Sequence, residues 1–292
     1  MRLASTLFAA CLLACMGPLR EPAVRGLPLD DPDAALSVVW VGHATVLIRL
    51  GHRFILTDPN LSGSLVVVPR IMPPSLTARQ LPPLQLVLLS HLHIDHFDRD
   101  TLHKLPASTE ILFPPGSDSY LQLVKQRRKE SVTFWKPITR GGLTVTAVPV
   151  KHQGGRYVFD ALWNKGNTGY VIEGFGKKIF FAGDTGADEK AFREIARRFP
   201  GIDLALIPIA PSKGKNPVHA SPREAVDIFE QVGARYMIPI HFESYPTSVE
   251  FDAPRKELLE EARKRGLENR IFALYTGERW VDGDPPWVTR KK

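Results

Sequence analysis

Six consecutive residues place several potential metal ligands directly after a predicted buried strand. The segment His91-Leu92-His93-Ile94-Asp95-His96 contains three imidazoles and one carboxylate, and it follows the apolar run Leu86-Val87-Leu88-Leu89. A strand that ends in such a cluster directs nitrogen and oxygen donors from a single turn, which is what a metal ion needs. A lone histidine is more often an ordinary surface or core residue, but this density rarely arises by chance. The segment therefore predicts a metal site at a strand end.

Three further potential ligands stand at the ends of other predicted strands. His152, Asp184 and His241 each lie at the end of a short run that is rich in β-branched or aromatic residues. Because layered folds bring strand ends together at one edge, we expect these side chains to converge with residues 91–96.

The composition is that of an ordinary globular protein with a modest excess of positive charge. The chain has 292 residues, enough for one large domain or two small ones, and 43% of them are hydrophobic. The net charge of +7 indicates either a solvated basic surface or attraction to an anionic membrane or a phosphate-bearing substrate. No nucleic-acid-binding motif is present, and the sequence does not specify an oligomeric state.

The N-terminus has the pattern of a targeting segment. Met1-Arg2 precedes an apolar stretch at residues 3–13 that is too short to span a bilayer. The sequence Leu12-Leu13-Ala14-Cys15 predicts a lipoprotein signal peptide at residues 1–14, with lipidation of the Cys15 sulfur. The alternative is a plain secretion signal with an incidental cysteine. Lipidation would anchor the protein in the bacterial cell envelope, at the periplasmic face or the outer membrane.

The remainder of the chain divides into a predicted tether at residues 15–35, a folded domain at residues 36–284 and a C-terminal tail at residues 285–292. The cysteines are Cys11 and Cys15, so cysteine cannot be a metal ligand in the processed domain. The patterns predict strands at 37–50, 53–57, 86–89, 110–113, 143–150, 168–173, 178–182, 204–208, 236–240 and 271–275, an irregular segment at 61–83, and helices at 99–105, 117–126, 189–199, 221–232 and 254–265.

In this order, the motifs resemble the metallo-β-lactamase superfamily across residues 36–284. Within it, the chain is most similar to the branch of N-acylphosphatidylethanolamine phospholipase D and UlaG-like proteins. The resemblance implies an α/β fold, the four-layer αββα sandwich. The motifs that carry it are Trp40-Val41-Gly42-His43-Ala44-Thr45, Leu56-Thr57-Asp58-Pro59, residues 90–98, Gly183-Asp184-Thr185-Gly186, His219-Ala220-Ser221-Pro222-Arg223-Glu224-Ala225 and Ile240-His241-Phe242.

The resemblance also implies a centre of two divalent metal ions. Nitrogen and hard oxygen donors suit Zn²⁺, with Mn²⁺ or Fe²⁺ as alternatives. Two ions about 3.5–4 Å apart can share a water and lower its pKa toward about 7, so a metal-bound hydroxide would be the nucleophile. Asp95 is expected to serve catalysis as well as metal binding. The implied ligands are His91, His93 and His152 for the first ion, Asp95, His96 and His241 for the second, and Asp184 as the bridge between them.

Two other residues of the motifs leave alternatives open. Asp58 is expected to accept a proton from a ligand imidazole and fix its tautomer, but an aspartate before Pro59 is also a common turn residue. His43 is either a residue of the site or a buried structural imidazole.

His219 and Arg156 are the candidates for substrate binding. His219 precedes a predicted helix cap, and the resemblance places it beside the metals, where it could hydrogen-bond a phosphate oxygen or protonate a leaving group. The alternative is an exposed loop histidine. Arg156 could face a substrate phosphate, or it could form a structural ion pair with Asp160.

The expected function is phosphodiester hydrolysis of the phospholipase D type, on a phospholipid or a related small molecule. Residues 61–72 are apolar without a clear strand pattern, so they could receive an acyl chain, touch the membrane or simply cover the core. The segment Gln153-Gly154-Gly155 departs from the aromatic-rich signature of the phospholipase branch. A lactonase or amide hydrolase of the UlaG type is therefore an alternative, and a non-catalytic metal-binding surface lipoprotein is a third.

Overall fold

Strands dominate the fold, and they form two large sheets. The computed structural model describes residues 19–27, 34–156, 160, 166–211, 216–247 and 250–283. The predicted signal peptide, Cys15 and the predicted C-terminal tail lie outside the described residues. The strands are β1 (Leu36–Gly42), β2 (Thr45–Leu50), β3 (Arg53–Thr57), β4 (Ser64–Leu65), β5 (Val68–Pro69), β6 (Leu86–Leu88), β7 (Glu110–Phe113), β8 (Lys129–Ser131), β9 (Pro137–Arg140), β10 (Leu143–Val148), β11 (Gly169–Gly174), β12 (Lys177–Phe181), β13 (Leu204–Pro208), β14 (Tyr236–Ile240) and β15 (Arg279–Val281).

Among the described residues the α-helices are fewer than the strands, and they lie between strands in sequence. Among the described residues, no helix has both the length and the apolar character needed to cross a membrane. The helices are α1 (Arg99–Lys104), α2 (Asp118–Leu121), α3 (Glu189–Arg198), α4 (Pro222–Val232) and α5 (Ala253–Lys264), with a 3-10 turn at Ala78–Gln80.

Each large sheet joins an antiparallel half to a parallel half. The first has the order β15-β1-β2-β3-β6-β7-β8, and the second has the order β14-β13-β12-β11-β10-β9. In the first sheet β3, β6, β7 and β8 run parallel, and in the second β12, β13 and β14 do. The carboxyl ends of parallel neighbours meet at one edge of a sheet. At this edge of the first sheet, Asp58 follows β3 and His91 lies close after β6. His241 follows β14 at the carboxyl edge of the second sheet.

Alternation of side chains along β1 explains the layering. Val38 and Trp40 belong to a core shared with the second sheet, whereas Val39 and Val41 belong to a separate core that includes Leu102 of α1. Successive strand residues point to opposite faces, so one face of the first sheet packs on the second sheet and the other packs under helices. Phe192, Phe229 and Leu258 bring α3, α4 and α5 to the second sheet. The predicted α/β sandwich is confirmed, with its layers in the order αββα.

Two predicted boundaries near the site are wrong. The strand expected at 37–50 is two strands, because the chain turns at Gly42 and His43, which have φ values of 135° and 57°. The helix expected at 117–126 is confined to Asp118–Leu121. The Lys129 ammonium donates hydrogen bonds to the carbonyl oxygens of Leu121 and Val124, so these oxygens are satisfied without further helix.

The last predicted strand is also wrong. Residues 271–275 contribute only an isolated bridge at Ile271, because the Arg255 guanidinium binds the carbonyl oxygens of Ala273 and Leu274 that a strand would use. The bridge at Ile271 is to Met237 of β14, whereas the edge strand beside β1 is β15, which was not predicted. The segment 61–83, expected to be irregular, contains the short β4–β5 hairpin, and β8 and β9 were not predicted.

Part of the predicted tether lies along the domain. The Arg20 amide donates to the Ile71 carbonyl at 2.9 Å, the Ala23 amide donates to the Thr276 carbonyl at 2.9 Å, and the Gly26 amide donates to the Ser75 carbonyl at 3.0 Å. Residues 19–27 therefore follow the surface that borders the site.

Candidate metal centre

Three histidines converge in a first cluster. His91 Nε2 lies 2.9 Å from His93 Nδ1, and His152 Nε2 lies 3.3 Å from the same atom. His91 and His93 come from the turn after β6, whereas His152 comes from the segment after β10. These three atoms are close enough together to hold one metal ion.

A second cluster forms around the Asp95 carboxylate. Asp95 Oδ2 lies 2.9 Å from His43 Nε2, 3.3 Å from His241 Nε2 and 3.5 Å from His96 Nε2. This group can also hold a cation. Burial lowers the pKa of His43 to about 3, so its ring is neutral. A neutral ring must donate its Nε2 proton to the carboxylate, so His43 orients Asp95 rather than offering a lone pair at that atom.

Asp184 lies between the two clusters. Its Oδ2 is 3.1 Å from His241 Nε2, 3.4 Å from His96 Nε2 and 3.9 Å from His152 Nε2. The same oxygen is 3.5 Å from His219 Nδ1. Asp184 thus contacts histidines of both clusters, which is the position a bridging carboxylate requires.

Asp58 orients two of the candidate ligands, His96 and His91. Its Oδ2 is 2.7 Å from His96 Nδ1 and accepts a hydrogen bond from the Ser90 hydroxyl at 2.6 Å. The Ser90 oxygen in turn lies 2.9 Å from His91 Nδ1. One buried carboxylate therefore orients His96 directly and His91 through a serine. The Ser90 amide also donates to Asp58 Oδ1 at 2.7 Å, so Asp58 does not act merely as a turn residue before Pro59.

Backbone carbonyls fix two more rings. His152 Nδ1 is 2.8 Å from the Val218 oxygen, and His241 Nδ1 is 2.8 Å from the Ala210 oxygen. A carbonyl only accepts, so both Nδ1 atoms carry a proton, and the neutral form of each ring directs the lone pair of Nε2 toward the site.

The donor set fits divalent metal ions. Lone pairs of imidazole nitrogens and carboxylate oxygens converge at a buried place, and such donors suit Zn²⁺ and related ions. Two buried atoms of these residues, His96 Nε2 and Asp184 Oδ1, make no hydrogen bond to any residue that the structure describes. Buried polar atoms normally have a partner, and a bound metal ion would supply one.

Burial and charge act differently on the histidines. Burial lowers the pKa of His152 to about 4, and it lowers the pKa of His91 well below its ordinary value, with a further contribution from His96. Burial also disfavours the charged form of His96 and His241, but Asp184 and Asp95 outweigh it and raise both pKa values. Asp95 and Asp184 thus favour positive charge at the second cluster.

Hydrogen bonds from two side chains to backbone carbonyls fix the turn at residues 91–96. The Asn60 amide donates to the Asp95 carbonyl at 3.0 Å, and the Arg156 guanidinium donates to the Phe97 carbonyl at 2.7 Å. The Arg156 backbone amide binds the Asp160 carboxylate at 2.9 Å. Arg156 therefore supports the turn, and its expected contact with a substrate phosphate stays a prediction.

His219 lies at the rim of both clusters. Its ring is 4.9 Å from that of His152 and 5.7 Å from that of His241, between centroids. The Ala220 amide donates to the Thr185 carbonyl at 2.7 Å, which fixes the loop beside Asp184. Gly186 permits this approach, because a Cβ there would lie 2.3 Å from the Pro217 oxygen. The loop then enters α4 through the predicted capping box of Ser221 and Glu224.

Sequence reasoning assigned no role to Ser90 or Tyr245. Ser90 carries no signal of its own beyond its position before His91. Tyr245 lines an apolar cavity beside the second cluster, and burial raises the pKa of its phenol, so it stays protonated. The other apolar residues of this cavity are Leu65, Ala210, Pro211, Phe242, Phe251 and Pro254.

The chain is similar to known proteins in sequence and in fold. Residues 53–242 match the family model of the beta-lactamase superfamily domain. The chain is 30% identical to N-acyl-phosphatidylethanolamine-hydrolyzing phospholipase D 1 from Caenorhabditis elegans, over 89% of this chain and 80% of that protein. It is 28% identical to a UPF0173 metal-dependent hydrolase from Thermococcus kodakarensis, over 83% of this chain and 98% of that one.

A solved structure shares the fold. The crystal structure of isothiocyanate hydrolase from Delia radicum gut bacteria superposes with a TM-score of 0.69 at 18% identity, over 84% of this chain and 98% of that one. The sequence-based prediction of the superfamily is confirmed. The chain belongs to the metallo-β-lactamase superfamily, as a metal-dependent hydrolase near the branch that contains N-acylphosphatidylethanolamine phospholipase D.

Proposed function

We propose that the chain is a dinuclear metallohydrolase that cleaves a phosphodiester in the manner of a phospholipase D, with a phospholipid or a related molecule as substrate. One observation carries the proposal: Asp184 Oδ2 lies within 3.9 Å of histidines from both donor clusters. The substrate class is supported by the relative from Caenorhabditis elegans, whose name gives N-acylphosphatidylethanolamine hydrolysis.

The proposed first ion is held by His91, His93 and His152, and the second by Asp95, His96 and His241, with Asp184 shared. Zn²⁺ suits these donors best, and Mn²⁺ or Fe²⁺ are alternatives. When bound, such a pair supplies Lewis acidity to a phosphoryl oxygen and lowers the pKa of water.

The side chains around the ions have distinct proposed roles. Asp95, held by His43 at 2.9 Å, keeps a carboxylate at the reacting side of the second cluster and can accept a proton there. His219 lies beside Asp184 and outside the two ligand sets, so it is placed to donate a hydrogen bond to a phosphate oxygen or a proton to the leaving group. Asp58 keeps His96 and His91 in the tautomers that ligation needs.

The proposed location is the bacterial cell envelope, with the chain anchored through a lipidated Cys15. This location fits a lipid substrate, because an anchored enzyme meets its substrate in two dimensions. Two or more acyl chains give durable anchoring, since each buried methylene contributes about 0.8 kcal/mol. Mass spectrometry of the mature chain tests it: a diacylglyceryl adduct on an N-terminal Cys15 is expected, and an unmodified terminus at another residue would contradict it.

Activity assays test the chemistry. The full chain, loaded with Zn²⁺ or Mn²⁺, is assayed on bis-p-nitrophenyl phosphate, on phosphatidylethanolamine vesicles and on simple lactones. We expect phosphodiester turnover, with release of the headgroup alcohol from the lipid. Metal-loaded protein that hydrolyses no phosphodiester would refute the proposal, and a preference for lactones by orders of magnitude would favour the UlaG-type alternative.

A matched pair of variants tests His219. His219→Gln removes the proposed proton donor and is expected to lower kcat by about 100-fold without loss of metal. His103→Gln is the control, because His103 is exposed and bonded only to the Leu123 carbonyl among the contacts described. Equal activity of the two variants would exclude a catalytic role for His219.

A further inference from the structure

We infer that the mouth of the metal centre faces a membrane surface, and that the β4–β5 hairpin contacts the lipid of that surface. This inference rests on the proposed anchor at Cys15 and deepens it, since it names the face of the domain that meets the bilayer. The occupant is the interface of a phospholipid bilayer.

The tip of the hairpin exposes two adjacent large apolar side chains. Val66 and Val67 form its tip, with 79% and 77% of their surface accessible, and Leu19 is next at 72%. These are the three most exposed large apolar side chains among the described residues. Isolated exposed apolar residues are ordinary, but two adjacent valines on a turn form a compact apolar projection.

The N-terminal segment enters the domain beside this hairpin. The Arg20 amide donates to the carbonyl of Ile71, two positions after β5 ends at Pro69. The Arg20 guanidinium lies over the Phe251 ring at 4.1 Å. Leu19 is therefore carried on the same face as the hairpin.

The same elements border the metal centre. Leu65 of the hairpin and Phe251 both line the apolar cavity that contains His43, Asp95 and His241. The base of the hairpin is fixed to the site through Arg70, whose guanidinium donates to the Asn60 carbonyl at 2.7 Å while Asn60 binds the 91–96 turn. The hairpin thus stands at the mouth of the cavity, with its tip directed away from the protein core.

Chain length limits where the anchor can be. Cys15 precedes Arg20 by five positions, so the two residues lie within about 17 Å of each other whatever path the chain takes. A domain of this size is about 40 Å across, which is more than twice that reach. A lipid anchor at Cys15 would therefore keep the face that carries Arg20 close to the membrane. The net charge of +7 favours an anionic surface in addition.

Fluorescence quenching tests the orientation. The full chain carries Val66→Cys or, as matched control, Leu123→Cys, where Leu123 is 51% exposed in the segment after α2. Each is labelled with an environment-sensitive fluorophore, and the lipidated protein is reconstituted into phosphatidylethanolamine–phosphatidylglycerol vesicles that contain nitroxide lipids. We expect about fivefold stronger quenching and a blue shift at position 66 only, because an interfacial element lies about 5–10 Å deep.

Equal quenching at both positions, or none at either, would overturn the inference. A blue shift at position 66 that grows with protein concentration without vesicles would also overturn it, because a second copy of the chain would then cover the tip.

A second measurement separates this inference from the proposed function. The double variant Val66→Ser/Val67→Ser is expected to lose about tenfold in turnover of vesicle lipid, with turnover of bis-p-nitrophenyl phosphate unchanged. Leu123→Ser is expected to change neither. If the wild-type chain hydrolyses no phosphodiester, the proposed function fails while the quenching result still decides the membrane contact.

Discussion

The two donor clusters lie side by side but are prepared for a cation in different ways. His91, His93 and His152 contain only imidazoles, and burial lowers the pKa of each of them. In the second cluster, Asp184 and Asp95 raise the pKa of His96 and His241 against the effect of burial. The first cluster therefore offers neutral lone pairs, whereas the second offers negative charge and competes with protons. Desolvation favours neutral imidazoles, which can ligate, in the first cluster, whereas electrostatics favours protonated imidazoles in the second, and a cation must replace those protons.

The largest expected effect comes from the residue that joins the clusters. Asp184→Asn keeps the shape but removes the charge that contacts histidines of both, so we expect turnover to fall by about 1000-fold and metal content to drop. Elemental analysis and steady-state kinetics on bis-p-nitrophenyl phosphate measure both. Full metal content with near-normal turnover would show that the clusters work independently.

Ligand orientation should give the next largest effect. Asp58 touches His96 directly and His91 through Ser90, so Asp58→Asn should weaken metal binding by about 10–100-fold. Ser90→Ala interrupts only the path to His91 and should have a smaller effect. Competition with a chelator measures the affinity. If Ser90→Ala were the more damaging change, the direct contact with His96 would not be the important one.

The metal affinities of the two clusters should depend differently on pH. A cation at the second cluster displaces protons from groups whose pKa is raised above about 6.5, so its affinity should fall as the pH drops through and below neutrality. At the first cluster, His152 has a pKa of about 4, so binding should persist to lower pH. Equilibrium dialysis at about pH 5.5 and about pH 8 should show loss of one ion before the other. Simultaneous loss of both would contradict the comparison.

The last prediction concerns backbone fit beside Asp184, and it is measured as a loss of stability rather than of turnover or metal binding. Gly183 has φ +60°, and a Cβ there would lie 2.4 Å from the Ser90 Cβ, so Gly183→Ala should cost about 2–4 kcal/mol through strain and overpacking. Gly201 has φ +76° with nothing within 4 Å, so Gly201→Ala should cost only about 1–2 kcal/mol. Denaturant unfolding compares them, and equal costs would show that the contact with Ser90 relaxes freely.

Sequence patterns correctly predicted those helices and strands whose formation depends on residues close together in the chain. The capping box at Ser221 and Glu224, the apolar run before His91 and the strand at 204–208 all lie where the sequence indicates. Errors arose where distant groups satisfied the backbone: Lys129 ended α2 early, and Arg255 took the carbonyl oxygens of the expected strand at 271–275. Tertiary hydrogen bonds of this kind leave no periodic signal in sequence.

Residue identity and hydrophobic pattern were enough to predict the kinds of donor, their order along the chain and their placement at strand ends. The three-dimensional packing was needed to show which donors share a cluster, that His43 hydrogen-bonds Asp95, and that Ser90 links Asp58 to His91. Those relations join residues that are far apart in sequence, and they depend on the packing of two sheets and on the tautomer that each hydrogen bond imposes.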